Sequence, residues 1–210
     1  MFKAILFDLD GTLINTNDLI VHTYKHILKT HLDVEVEDGE IISTFGEPLK
    51  DVLERYGKDK AEEMFNDYIE YNRTIHDDLT KPIEGVEEGL KLLKKMGVKI
   101  GVVTSKRREG ALRGLKLFNL EKYMDIIITP EDTQNHKPHG EPVLKACEML
   151  NVLPNDALMV GDSHNDILCG QNAGAKTCLV RYTALNVDEM LKHNPDYVVD
   201  SIVDIYNIIK

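Results

Sequence analysis

Apolar residues along this chain fall into two patterns that alternate. Short continuous runs end in polar or acidic residues: residues 3–8 (Lys-Ala-Ile-Leu-Phe-Asp), Val98–Val103, Asp125–Thr129, Ala157–Val160 and a weaker run, Thr177–Val180. Runs of this length predict strands buried on both faces. Between them, apolar positions recur at helical spacing: Val86–Met96, ended by Gly97, then about 107–118, 141–150 and 166–173. Strands alternating with such helices predict an α/β fold, a doubly wound parallel sheet with helices on both faces. Ligands of these sheets bind at the carboxyl ends of the strands.

One segment breaks the alternation. Between Ile14 and Lys81 no buried strand is evident. Leu19-Ile20, Tyr24, Ile27-Leu28 and His31 form one helical stripe, and Met64-Phe65, Tyr68-Ile69 and Asn72 form another. The expected organisation is a core of residues 1–13 and 84–210 with a small helical domain, residues 14–83, inserted after the first strand. Hinges are expected near Ile14–Thr16 and Thr80–Glu84, where Pro82 and Gly85 interrupt the helical pattern.

The strand ends carry the chemistry. The first strand runs into Asp8-Leu9-Asp10-Gly11-Thr12. Side chains two apart on an extended segment point the same way, so Asp8 and Asp10 can face one site. Gly11 permits a sharp turn and close approach of backbone N–H groups to a ligand. Crowded carboxylates repel unless a cation or proton lies between them. They can then act as nucleophile, general acid/base or metal ligand. After the fourth run, Gly161-Asp162-Ser163-His164-Asn165-Asp166 brings two more carboxylates to a strand end. Four acids at one sheet edge call for a hard divalent cation, and oxygen ligands suit Mg²⁺. Thr104-Ser105-Lys106 ends another strand with hydroxyls that either cap the next helix or bind a phosphate. Lys137-Pro138 follows the third run, as a surface lysine or as a cation near the site.

Composition narrows the partners. The 210 residues hold 25 Lys+Arg and 36 Asp+Glu, a net charge of −11. That balance argues against nucleic acid or an anionic membrane surface as partner. From Ile14 to Lys81 there are 16 acids and 8 bases, so most of the excess acidity lies in the insert. The longest apolar runs are too short to span a bilayer, and no secretory signal pattern opens the chain. Cys147, Cys169 and Cys178 lack CxxC spacing and read as reduced packing residues. A cytoplasmic protein, a monomer or weak dimer, is expected.

In this order, Asp8-x-Asp10-Gly11-Thr12, Thr104, Lys137-Pro138 and Gly161-Asp162-Ser163-x-x-Asp166 resemble the haloacid dehalogenase superfamily of phosphohydrolases, over essentially the whole chain. The resemblance implies a Rossmann-like core and places that family's cap domain at the helical insert. It implies that Asp8 is the nucleophile and forms an aspartyl-phosphate. Asp10 would be the acid/base and offer its backbone carbonyl to Mg²⁺; Asp8 and Asp162 would also belong to the metal site, with Asp166 holding the ion from behind the direct ligands or through water. Thr104 and the N–H of Ser105 would hold phosphoryl oxygens, and Lys137 would neutralise Asp8 and the phosphate. The block Asp67–Leu79, with Phe45-Gly46-Glu47-Pro48-Leu49 and Gln171-Asn172-Ala173-Gly174, resembles bacterial pyrophosphatases of the phosphoglycolate-phosphatase-like subgroup. That likeness implies a small anionic phosphate substrate, pyrophosphate first, met by Gly11, Gly46, Asn72, His76 and Ser105. Phosphoglycolate or another small phosphomonoester is the alternative, then a sugar-phosphate mutase, then a phosphate-binding protein without activity.

Overall fold

The computed structural model describes residues 2–210. The chain divides into two compact units: Met1–Asn15 with Pro82–Lys210, and Thr16–Lys81. In chain order the first unit opens with β1 (Ala4–Phe7) and the two-residue β2 (Ile14–Asn15). The second holds α1 (Asn17–Leu32), α2 (Asp38–Ile42), α3 (Leu49–Gly57) and α4 (Ala61–Leu79). The chain returns through β3 (Lys81–Pro82), α5 (Val86–Lys95), β4 (Lys99–Val103) and α6 (Arg108–Leu117). It continues with β5 (Ile126–Ile128), α7 (Glu141–Leu150), β6 (Ala157–Gly161) and α8 (His164–Ala173). Last come β7 (Lys176–Val180), α9 (Val187–Leu191), β8 (Tyr197–Val199) and α10 (Ile205–Ile209).

The first unit is built on a six-stranded sheet in the order β5-β4-β1-β6-β7-β8, with every pairing parallel. All four residues of β1 are buried, because helices cover both faces. Alternation along the strand sends Ile5 and Phe7 to one core, with Val86, Leu90 and Leu93 of α5 and Ala111 and Leu115 of α6. Ala4 and Leu6 point into the other, with Val143, Ala146 and Cys147 of α7 and Cys169 of α8. The three cysteines are free and buried, as packing residues should be. Burying each large aliphatic side chain is worth about 1.5–3 kcal/mol, so these two layers hold the sheet rigid. β8, at the sheet edge, escaped the reading of the sequence. Tyr197-Val198-Val199 offers only two aliphatic residues between Asp196 and Asp200, so no continuous apolar run marks it as Ile126-Ile127-Ile128 does for β5.

Register decides where the chemistry goes. Phe7 lies opposite Val102 on β4 and Val160 on β6. The residues that follow each strand therefore leave the sheet at one edge. β1 is central, with the chain passing to β4 on one side and to β6 on the other, which makes its carboxyl end the switch point of the sheet.

In the second unit, α1 and α4 pack through Leu19, Tyr24, Ile27 and Leu28 against Met64 and Tyr68, all buried. Tyr24 and Tyr68 meet edge to face with ring centroids 5.0 Å apart. The helical stripes read from the sequence are thus the apolar faces that hold this unit together. No helix among the described residues is long and apolar enough to cross a membrane.

Candidate active site

β1 delivers Asp8. Its backbone N–H donates to the carbonyl of Val160 (2.8 Å), which continues the ladder one residue past the strand. The chain then turns: Gly11 has φ +81 and its N–H donates to the carbonyl of Ile14 (2.8 Å). A Cβ on Gly11 would lie 2.4 Å from Oδ2 of Asp162, so glycine is required here for conformation and for room. Gly11→Ala should cost about 2 kcal/mol or more and lower turnover by displacing Asp162. Urea unfolding together with a phosphatase assay would check both effects.

β6 delivers the second acidic pair. Gly161 admits Asp166 closely, since a Cβ on Gly161 would fall 2.2 Å from the Asp166 Cβ. Ser163 caps α8, and its N–H and hydroxyl both donate to Asp166 Oδ2, at 3.1 and 2.6 Å. Asp166 therefore serves as capping-box partner with one oxygen while the other, Oδ1, faces Lys137. The helix-cap and active-site readings of this loop describe the two ends of one carboxylate.

Lys137 arrives on the loop after β5 and is only 6% exposed. Its Nζ donates to Asp8 Oδ1 (2.5 Å), Asp166 Oδ1 (2.7 Å) and the carbonyl of Val103 (3.3 Å), which uses all three ammonium protons. Oxygens of Asp8, Asp162 and Asp166 lie within 4.8 Å of one another. Three buried carboxylates face one ammonium. Burial pushes the Asp8 carboxyl up to about 7, with Lys137 opposing and Asp166 adding to the rise. Burial also pushes Asp162 well above the usual carboxylate range, reinforced by Asp166 and Asp8. Lys137 is held charged: burial favours the neutral amine, but Asp166 and Asp8 outweigh it. A dry cluster of hard oxygen donors with excess negative charge is the environment that a divalent cation such as Mg²⁺ fits.

β4 delivers Thr104, whose N–H donates to the carbonyl of Ile128 (3.1 Å). Its hydroxyl accepts the N–H of Lys106 (3.0 Å), which folds the turn over the strand end and leaves the O–H as a donor. Ser105 is exposed beside it. The Lys106 ammonium reaches Asp10, at 3.0 Å from Oδ1 and 3.3 Å from Oδ2. The Asp10 side chain thus pairs with Lys106, while the carboxylate cluster consists of Asp8, Asp162 and Asp166. Two residues here were not singled out from the sequence. One is Lys106, whose signal was a lysine two positions beyond a strand-ending threonine. The other is Thr183, whose hydroxyl donates to Asp162 Oδ2 (3.2 Å) and had no local signal.

The remaining sequence candidates stay with the helical unit. Gly46 is exposed with φ +85. Asn72 donates from Nδ2 to Thr23 Oγ1 (3.0 Å) and ties α4 to α1. His76 is 2% exposed, with Nδ1 2.8 Å from Asp77 Oδ1.

The haloacid dehalogenase-like hydrolase family model matches residues 5–180. The chain belongs to this family. Its membership makes the protein a hydrolase. A PpaX protein of Clostridium perfringens (strain 13 / Type A) is 53% identical over 210 residues, covering 100% of this chain and 98% of that one. The pyrophosphatase PpaX of Halalkalibacterium halodurans is 42% identical over 207 residues, covering 99% and 96%. Among solved structures, a haloacid dehalogenase-like protein of Bacteroides fragilis superposes with a TM-score of 0.90 at 26% identity, covering 98% of this chain and 100% of that one. The carboxylates gathered at the ends of β1 and β6 lie at the carboxyl edge of the sheet, where ligands of parallel sheets bind.

Proposed function

We propose that this hydrolase is a Mg²⁺-dependent pyrophosphatase that works through a phosphorylated Asp8. The observation that carries the reading is the Asp8 carboxylate, buried at the switch point of the sheet, ion-paired to Lys137 and grouped with Asp162 and Asp166. Asp8 attacks phosphorus through a carboxylate oxygen. Lys137 fixes that oxygen and lowers the repulsion between one anion and another. Asp10 gives a proton to the leaving oxygen and later takes one from the water that hydrolyses the acyl phosphate. Thr104, the N–H of Ser105 and the turn at Gly11 hold phosphoryl oxygens. Asp8, Asp162 and Asp166, with the backbone carbonyl of Asp10, would hold Mg²⁺, which supplies charge neutralisation for the transferring group. Residues 16–81 form the cap of this enzyme.

The choice of pyrophosphate is supported by relatives that carry the pyrophosphatase name and align with this chain almost end to end. The test is a turnover panel of pyrophosphate, phosphoglycolate and several sugar phosphates. The expected result is release of phosphate from pyrophosphate with kcat/KM at least about 10-fold above the others, abolished by EDTA and restored by Mg²⁺. A phosphomonoester at the head of the panel, or full activity in EDTA, would overturn the reading.

A further inference from the structure

We infer that Lys106 is the receptor for the leaving half of the substrate and selects phosphate compounds whose leaving group is itself an anion. The inference rests on the reading of Asp10 as the group that protonates the leaving oxygen.

Two lysines serve two carboxylates on the Asp8-x-Asp10 turn, and they are placed differently. Lys137 is buried and spends its ammonium protons on Asp8, Asp166 and a carbonyl. The Lys106 ammonium bonds both oxygens of Asp10, and its side chain keeps 15% of its exposure. An ammonium has three donors, so Lys106 can hold Asp10 and still offer protons to a ligand. Its aim is built in. The amide of Lys106 is pinned by the Thr104 hydroxyl at 3.0 Å. Its stem lies along the first turn of α6, where Gly110 makes room. A Cβ on Gly110 would come within 3.1 Å of Lys106 Cε and 3.4 Å of Cγ.

The geometry limits what this ammonium can meet. An oxygen that takes a proton from Asp10 lies one hydrogen bond from its carboxyl, hence about 6 Å or less from Lys106 Nζ. The transferred phosphoryl group lies on the Asp8 side, with Lys137. The group on the Asp10 side is the one that leaves. When pyrophosphate reacts, a bond forms between an Asp8 oxygen and one phosphorus, and the bond from that phosphorus to the bridging oxygen breaks. The bridging oxygen takes the electron pair and the Asp10 proton and departs as phosphate. Lys106 keeps its own protons and stabilises the charge on the departing phosphate. A neutral alcohol leaving from the same place would gain nothing from it, so the effect grows with leaving-group charge.

The test uses Lys106→Met and Lys106→Arg in the full chain with Mg²⁺ present. Affinity is measured for methylenediphosphonate, which carries two linked phosphoryl-like groups and is not hydrolysed, and for inorganic phosphate. The expected result is about 100-fold weaker binding of methylenediphosphonate to Lys106→Met, with phosphate affinity within about 3-fold of the parent. Lys106→Arg should restore binding to within about 10-fold, and pyrophosphate turnover should follow the same order. Equal weakening for both ligands, or lost turnover with methylenediphosphonate binding unchanged, would overturn the inference and make Lys106 only a tether for Asp10. Failure of the parent protein to hydrolyse pyrophosphate is a separate result, and it sinks the proposed substrate rather than the binding role.

Discussion

Asp8→Asn is expected to lower phosphate release by at least about 10⁴-fold while leaving the fold intact or slightly more stable. The loss follows from chemistry: an amide oxygen is a poor nucleophile and cannot form the acyl phosphate. The stability follows from the charge balance at the end of β1. Burial drives Asp8 up to about 7, with Asp166 adding to the repulsion. Replacing it with a neutral side chain of the same shape removes one of three crowded carboxylates. Lys137 keeps Asp166 and the Val103 carbonyl as partners. Steady-state kinetics and thermal melting of the same preparation separate the two effects. Near-parental turnover would exclude Asp8 as the phosphorylated group.

Lys137→Met should do damage of both kinds. It leaves Asp8 and Asp166 buried without their common cation, and breaking such a pair from one side costs about 3–5 kcal/mol. For a chain of this size that corresponds to a drop in Tm of roughly 10 °C. Turnover should also fall, by about 10²–10³-fold, because the charge that lets Asp8 approach a phosphate is gone. The stability deficit should depend on pH in a defined direction. Without Lys137 the attraction that lowers the Asp8 pKa is lost, so its folded value rises further above the unfolded one. Between the unfolded value, near 3.8, and the raised folded value, the folded protein holds the extra proton. Stability is therefore lost as pH rises through that window. Urea unfolding at pH 5 and pH 8 should show the larger deficit at pH 8. A deficit independent of pH would mean that Lys137 acts by packing alone.

The buried strands were the most legible part of the fold. Ala-Ile-Leu-Phe, Ile-Gly-Val-Val and Leu-Met-Val are continuous apolar runs of strand length, and each is a strand of the parallel sheet. Helices α5 to α8 stand close to where the spacing placed them, and each has a glycine or asparagine at or near its carboxyl end. β8 and α9 were not read, since neither presents a continuous apolar run or a full helical stripe between its polar neighbours. The gathering of Asp8, Asp162 and Asp166 was legible for a local reason. They sit directly after apolar runs, and a strand end in a parallel sheet is where a ligand binds. Thr183 was not, because it lies beyond β7 in an ordinary polar stretch and meets Asp162 only through folding.

What the sequence by itself determined is the alternation of strand and helix, the helical insert after the first strand, and the acids placed at strand ends. These follow from periodicity and chain order, which act over a few residues. The family resemblance, not any local pattern, placed Lys137 beside Asp8, and only the tertiary structure paired Lys106 with Asp10. Lys137 reaches Asp8 across 129 positions of sequence, and Lys106 reaches Asp10 across 96. The physical reason is that these pairings are set by parallel register and by the path of the loops after β4 and β5. No short-range pattern encodes either, so two ordinary lysines in the sequence become the two cations of the site.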